Sequence, residues 1–255
     1  TPTAQSQYNT SFGMAGTFTV NGGITFAPTG GTITMSGAGS SISNSGTLTF
    51  QNLTIAATPT AQSQYNTSYN IAGTLTVNNS ILFEPTGGTI TMNNVASAIS
   101  NSGTLTFNNL TISATPTSQA QYNTSFTVAG TFATSGAITF APTGGTITMS
   151  GTSGAINNAS GTLTFQNLTI SGTTVSSTGN FAVAATMSVS GVFNPSATSI
   201  ISGATGTITG TGTVNVTRTA ATPSFGAQYT INTKTLANLT VNYNGGGAQT
   251  VDAQN

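Results

Sequence analysis

The segment TPTAQSQYNTS opens the chain at Thr1, returns unchanged at Thr58, and returns again as TPTSQAQYNTS at Thr115. The step from Thr1 to Thr58 equals the step from Thr58 to Thr115. A second segment keeps the same interval: APTGGTITM at Ala27, EPTGGTITM at Glu84 and APTGGTITM at Ala141. Self-similarity at a fixed period of this length marks a chain whose units cannot bury an apolar face alone and must stack on their neighbours. The repeats run 1–57, 58–114 and 115–171, followed by a degenerate stretch, 172–255. All 255 residues are expected to form a single solenoid domain.

Within each repeat the most regular stretch is GTLTFQNLTI at Gly46 to Ile55, with close copies at Gly103 and Gly161. Leu48 and Phe50 alternate with Thr47 and Thr49, the period of a half-buried strand. After Gln51-Asn52 the alternation resumes one position out of phase, with Leu53 and Ile55 apolar. That slip reads as strand, corner, strand around an interior. A Gly-Thr-apolar-Thr-apolar pattern starts at Gly16, Gly46, Gly73, Gly103 and Gly161, with a degenerate copy, GTFAT, at Gly130. The spacing predicts two coils per repeat, each of about 27–30 residues, and roughly nine coils in all. Phe18, Leu48, Leu75, Leu105, Phe132 and Leu163 are then expected to form one vertical file. Asn52, Asn79, Asn109 and Asn167 are placed at corners, where Asn tolerates a left-handed backbone. Stacked amides there would hydrogen-bond to one another along the coil.

Only Glu84, Arg218, Lys234 and Asp252 are ionised at neutral pH, and there is no His, Cys or Trp. Disorder would need high charge and no apolar phasing, and here both conditions fail. A balance of charge removes the electrostatic footprint needed for nucleic acid or anionic membranes. No apolar run reaches transmembrane length. The start at Thr1, without Met or a leader pattern, is the start of a processed product or an excised piece. General acid–base chemistry needs paired titratable groups, and metal sites need clustered ligands. Neither is expected, so no catalytic residue, cofactor or metal site is assigned and the chain is read as a non-enzyme.

The repeat style of GTLTFxNLTI, with ANLTVNY at Ala237 to Tyr243 and GGGAQTV at Gly245 to Val251, resembles the right-handed parallel β-helix family. It is most similar to the Thr/Asn/Gly-rich β-strand repeats of large bacterial surface and secreted adhesin-like proteins. The resemblance implies an all-β, right-handed parallel β-helix and an extracellular, structural or adhesive role. Tandem β-sandwiches fit less well, because the repeat is little more than half the length of a sandwich domain of about 100 residues.

Three sets of surface residues are candidates. Asn9, Asn66 and Asn123, in the QYNTS segments, are the preferred N-glycosylation acceptors among ten sequons. Thr47, Thr49, Thr74, Thr76, Thr104 and Thr106 are expected to stack into two threonine columns, an array that resembles the flat faces of β-solenoid ice-binding proteins. Tyr8, Tyr65 and Tyr122 are either a sugar-stacking row or loop anchors. No capping helix is visible at either end, and bare solenoid ends promote stacking. The leading expectation is a structural subunit of an extracellular filament, sheath or surface layer, with itself as partner, joined head to tail. The alternative is a binding module, either a glycan-binding adhesin stalk or an ice-binder. So few ionisable groups also predict stability almost independent of pH.

Overall fold

A computed structural model describes residues 4–219 and 223–252. The chain divides into two compact units, residues 1–126 and 127–255. Each is a parallel β-solenoid, with about ten turns in all against the nine expected.

In the first unit the strands occupy three faces. Face A carries Phe12–Met14, Thr32–Met35, Asn52–Ile55, Thr74–Val77 and Ala98–Asn101, paired in that order. Face B carries Thr17–Val20 against Ser41–Asn44 and, further on, Leu82–Phe83 against Thr104–Phe107. Face C carries Thr25–Phe26, Thr47–Phe50, Tyr69–Ile71, Thr89–Met92 and Asn109–Ile112. The 3-10 turns Gln5–Tyr8 and Gln62–Tyr65 replace a strand on faces C and B respectively.

The register gives the length of a turn. Phe12 pairs with Ile33, Ile33 with Leu53, Leu53 with Leu75 and Leu75 with Ile99. Each of these steps is one circuit of the solenoid, and each is shorter than any spacing between the Gly-Thr motifs. The coil length expected from motif spacing is therefore wrong. The first repeat contains eight sides: one 3-10 turn and seven strands from Phe12–Met14 to Asn52–Ile55. Three sides close a turn, so a repeat of eight falls one side short of three turns.

Copies of one motif therefore land on different faces. Leu48, Leu75 and Leu105, expected in one vertical file, lie on faces C, A and B. The real files mix motifs, such as Ile33–Leu53–Leu75–Ile99 and Met35–Ile55–Val77 on face A, all buried. The fold tolerates this because every side has the same alternation of polar and apolar residues. Any side fits any face so long as Leu, Ile, Phe, Met or Val point inward. Each such burial is worth about 1.5–3 kcal/mol.

The second unit is wound in the same way with less even turns. The 17-residue strand Gly154–Ile170 goes round most of a turn. Its first part pairs with Val175–Thr178, and its middle and last parts pair with successive stretches of Phe181–Val189. Some circuits are short, as in the pairing of Val175 with Phe193, and others long, as in that of Ile201 with Tyr229. The long last turn holds the one α-helix among the described residues, the single turn Phe225–Gln228, whose two end side chains are buried in the wall.

Candidate functional site

The QYNTS and PTGGT segments meet across one turn. Gln62 Nε2 donates to Leu82 O at 3.2 Å, and its Oε1 accepts from the Glu84 amide at 2.7 Å. Asn66 Oδ1 accepts from the Thr86 amide, and Asn66 Nδ2 donates to Thr86 Oγ1, both at 2.8 Å. Ser68 Oγ accepts from the Thr89 amide at 3.0 Å. The first repeat builds the same clamp from Gln5, Asn9 and Ser11 against residues 25–32. At its centre a Pro-Thr-Gly-Gly turn needs a left-handed second glycine: Gly31 has φ 80° and Gly88 has φ 77°. A Cβ on Gly88 would stand 2.4 Å from Thr67 O.

Asn9 and Asn66, two of the three proposed glycan acceptors, are thus exposed but held. The nitrogen that a sugar would occupy already donates to a threonine hydroxyl. Asn123 is exposed at the same place, following the turn Gln119–Tyr122. The tyrosines do not form a surface row. Tyr65 and Tyr122 are buried, with the Tyr65 ring edge-on to Phe83 at 5.0 Å, while Tyr8 is exposed.

The corner asparagines reach backward to the wall. Asn52 Nδ2 donates to Gly31 O at 3.0 Å and its Oδ1 accepts from the Thr74 amide at 2.8 Å. Asn109 and Asn167 likewise donate to Gly88 O and Gly145 O. The expected left-handed corners are not found: among the described residues Ser80 is the non-glycine with positive φ. The corner asparagines do not stack into the expected ladder; an amide ladder forms instead from strand asparagines of the second unit. Asn242 Nδ2 donates to Asn215 Oδ1 at 2.9 Å, and Asn215 Nδ2 to Asn194 Oδ1 at 3.0 Å.

The six candidate threonines do not share a face. Thr47 and Thr49 lie on face C, Thr74 and Thr76 on face A, and Thr104 and Thr106 on face B. Thr106 Oγ1 donates to the Glu84 carboxylate at 3.0 Å. Hydroxyl columns form instead from unlike motifs. On face A, Thr34, Thr54, Thr76 and Ser100 align. In the second unit Thr146, Thr186, Thr207 and Thr233 make one column, interrupted by the amide of Asn167, and Thr148, Thr169, Ser188 and Thr209 make its neighbour. Motif alignment hides these columns, and only the true turn length aligns them.

The last turn of the second unit is tied off. Asp252 accepts from the Gly226 amide and Ser224 Oγ, both at 2.9 Å, and from the Tyr243 hydroxyl at 3.2 Å. Burial raises the Asp252 carboxyl pKa, but the hydrogen bonds from Gly226 and Ser224 outweigh it and hold the carboxyl below its usual value. Gln249 Nε2 donates to Val216 O and Arg218 O. Lys234 Nζ donates to Ile231 O at 2.8 Å. Among the described residues no three His, Cys, Asp or Glu side chains gather as metal ligands, and no helix is long and apolar enough to cross a membrane. Comparison with family models, curated proteins and solved structures gives no match.

Proposed function

We propose that the chain is a structural subunit of an extracellular filament, sheath or surface layer, in which solenoids associate end to end. One observation carries this reading. The most strictly repeated polar residues, Gln62, Asn66 and Ser68 with their first-repeat counterparts, are all engaged in lashing one turn to the next. Repetition that serves cohesion suits a load-bearing element and gives a substrate nothing to react with. No catalytic role or cofactor belongs to this reading, and localisation outside the cell follows the resemblance to surface repeats.

Electron microscopy and sedimentation of the purified chain test it. Deletion of residues 245–255, which removes the hydrogen bonds of Gln249 and Asp252, is expected to lengthen the assemblies. If both forms remain discrete single particles at high concentration, the filament reading fails. A second reading, a binding module for a glycan or for ice, is favoured by the paired hydroxyl columns of the second unit. Thermal hysteresis, or glycan-array binding lost in Thr186→Tyr and Thr207→Tyr, separates it from pure structure.

A further inference from the structure

We propose that Asn21 is a site of spontaneous deamidation through a succinimide formed with Gly22, and that Gln249 is a positioning residue that withholds the same reaction from Asn244. The inference is independent of how, or whether, the chains associate.

The reaction needs no enzyme and no neighbouring titratable group. The backbone nitrogen of the following residue attacks the asparagine Cγ, the Cγ–Nδ2 bond breaks, and ammonia leaves. The attacking amide's proton passes through solvent to the departing nitrogen. Water then opens the ring at either carbonyl and leaves aspartate or isoaspartate, so a neutral side chain becomes an anion. Two local conditions govern the rate. The following residue must be small, which favours glycine and then serine, and its N–H must be free to approach the carboxamide. The chain has two Asn-Gly steps, at Asn21 and Asn244, and three Asn-Ser steps, at Asn44, Asn79 and Asn101.

The fold divides these five. Asn44 and Asn101 are locked at both partners. Their Nδ2 atoms donate to Ser68 O at 2.7 Å and Ser125 O at 2.9 Å. The amides that would attack them, Ser45 and Ser102, donate to Val20 O and Val77 O. Asn244 is locked at the nucleophile, because the Gly245 amide donates to Gln249 Oε1 at 2.9 Å. Gln249 is itself pinned, its Nε2 donating to Val216 O at 2.7 Å and to Arg218 O at 3.0 Å.

Asn21 has no such restraint. It begins the exposed turn 21–24, closed by the Ile24 amide on Asn21 O at 3.1 Å, with Gly23 at φ 76°. Among the described residues nothing bonds the Asn21 carboxamide or the Gly22 amide. A Cβ built on Gly22 would have Ser45 O as its nearest contact outside its chain neighbours, at 3.8 Å, so the ring has room to form. The same turn in the second repeat, 78–81, lies between complete coils. It is closed by the Ile81 amide on Asn78 O at 3.2 Å, and Asn78, Asn79 and Ser80 are likewise exposed. The openness of this corner therefore belongs to the repeat. Asn79 stands in that second turn and is expected to react next, slowed by the side chain of Ser80.

The test is the intact chain held at mildly alkaline pH, digested with chymotrypsin and mapped by mass for amide-to-acid conversion at each asparagine. Asn21 is expected to convert at least about tenfold faster than Asn44, Asn101 or Asn244, since each of those must first open locally. In urea the two Asn-Gly steps should convert alike, which makes their difference a property of the fold. Gln249→Ala should bring Asn244 close to the rate of Asn21, with Asn44 and Asn101 still slow. An Asn21 that converts no faster than Asn44 in the folded chain overturns the site. An Asn244 that stays slow in Gln249→Ala overturns the guard. Should Asn44 and Asn101 also speed up in that variant, the solenoid has opened, and hydrogen exchange at Gly245 in the unmodified chain decides: a slow amide supports the guard and a fast one overturns it.

Discussion

Tyr69 carries a hydroxyl that its counterparts one repeat away, Phe12 and Phe126, do without. The ring is buried, edge-on to Phe50 at 5.5 Å, and its oxygen has no hydrogen-bond partner. A buried hydroxyl without a partner carries its full desolvation cost, about 1–3 kcal/mol. Tyr69→Phe removes the oxygen and keeps the ring, and the repeat already accommodates Phe at this position. The variant is expected to be more stable by about 1 kcal/mol, read from the midpoint of a urea titration at an unchanged slope. A clear loss of stability would mean that the hydroxyl is satisfied by a bound water.

At the scale of one side, the Pro-Thr-Gly-Gly turn sets what can be substituted. Gly88 and Gly136 both have a left-handed backbone, with φ of 77° and 73°. A Cβ on Gly136 meets nothing within 4 Å, whereas on Gly88 it would run into Thr67 O at 2.4 Å. Gly136→Ala is expected to cost only the left-handed strain, about 1–2 kcal/mol. Gly88→Ala adds a backbone collision, so the second repeat's clamp must open, and the loss should exceed that of Gly136→Ala by about 1 kcal/mol or more. Equal midpoints for the two variants in thermal unfolding would show that the clamp yields freely. The alternation Thr47-Leu48-Thr49-Phe50 and the corner at Asn52 were legible in the sequence because side-chain direction is local. The turn length was not, because every side carries the same pattern and nothing local says how many sides close a circuit. Aligning motif with motif overcounts the circuit, since on face A strand pairing already closes between Ile33 and Leu53 and between Leu75 and Ile99. It therefore put Thr47, Thr74 and Thr104 in one column, although they stand on three faces. The clamps were within reach of the sequence, since QYNTS and PTGGT recur at a constant separation near one true turn.

For the molecule as a whole, four ionised side chains among 255 residues point to stability indifferent to pH, but that reckoning leaves out the tyrosines. Tyr65 is pushed up to about 12 by burial. Burial also raises Tyr69, Tyr122 and Tyr229. A raised pKa means that the folded state holds its proton where the unfolded chain has released it. The stabilisation is complete below the unfolded value near 10 and is lost as pH rises beyond it. Each tyrosine kept protonated in the fold contributes a slope of about 1.4 kcal/mol per pH unit above that point. The opposite sign holds for Asp252, whose lowered pKa makes its contribution complete above the unfolded carboxylate value and lost as pH falls through the folded one. It is a single, half-buried group, so the acid limb should be shallow. The thermal midpoint is therefore expected to be level between about pH 5 and 9 and to fall steeply above about pH 10. Tyr65→Phe together with Tyr122→Phe removes two of these four tyrosines and should about halve the slope of the alkaline limb. A midpoint at pH 11 equal to that at pH 7 would mean that these hydroxyls reach water in the folded state, and the closed interior described for the first unit would then be wrong.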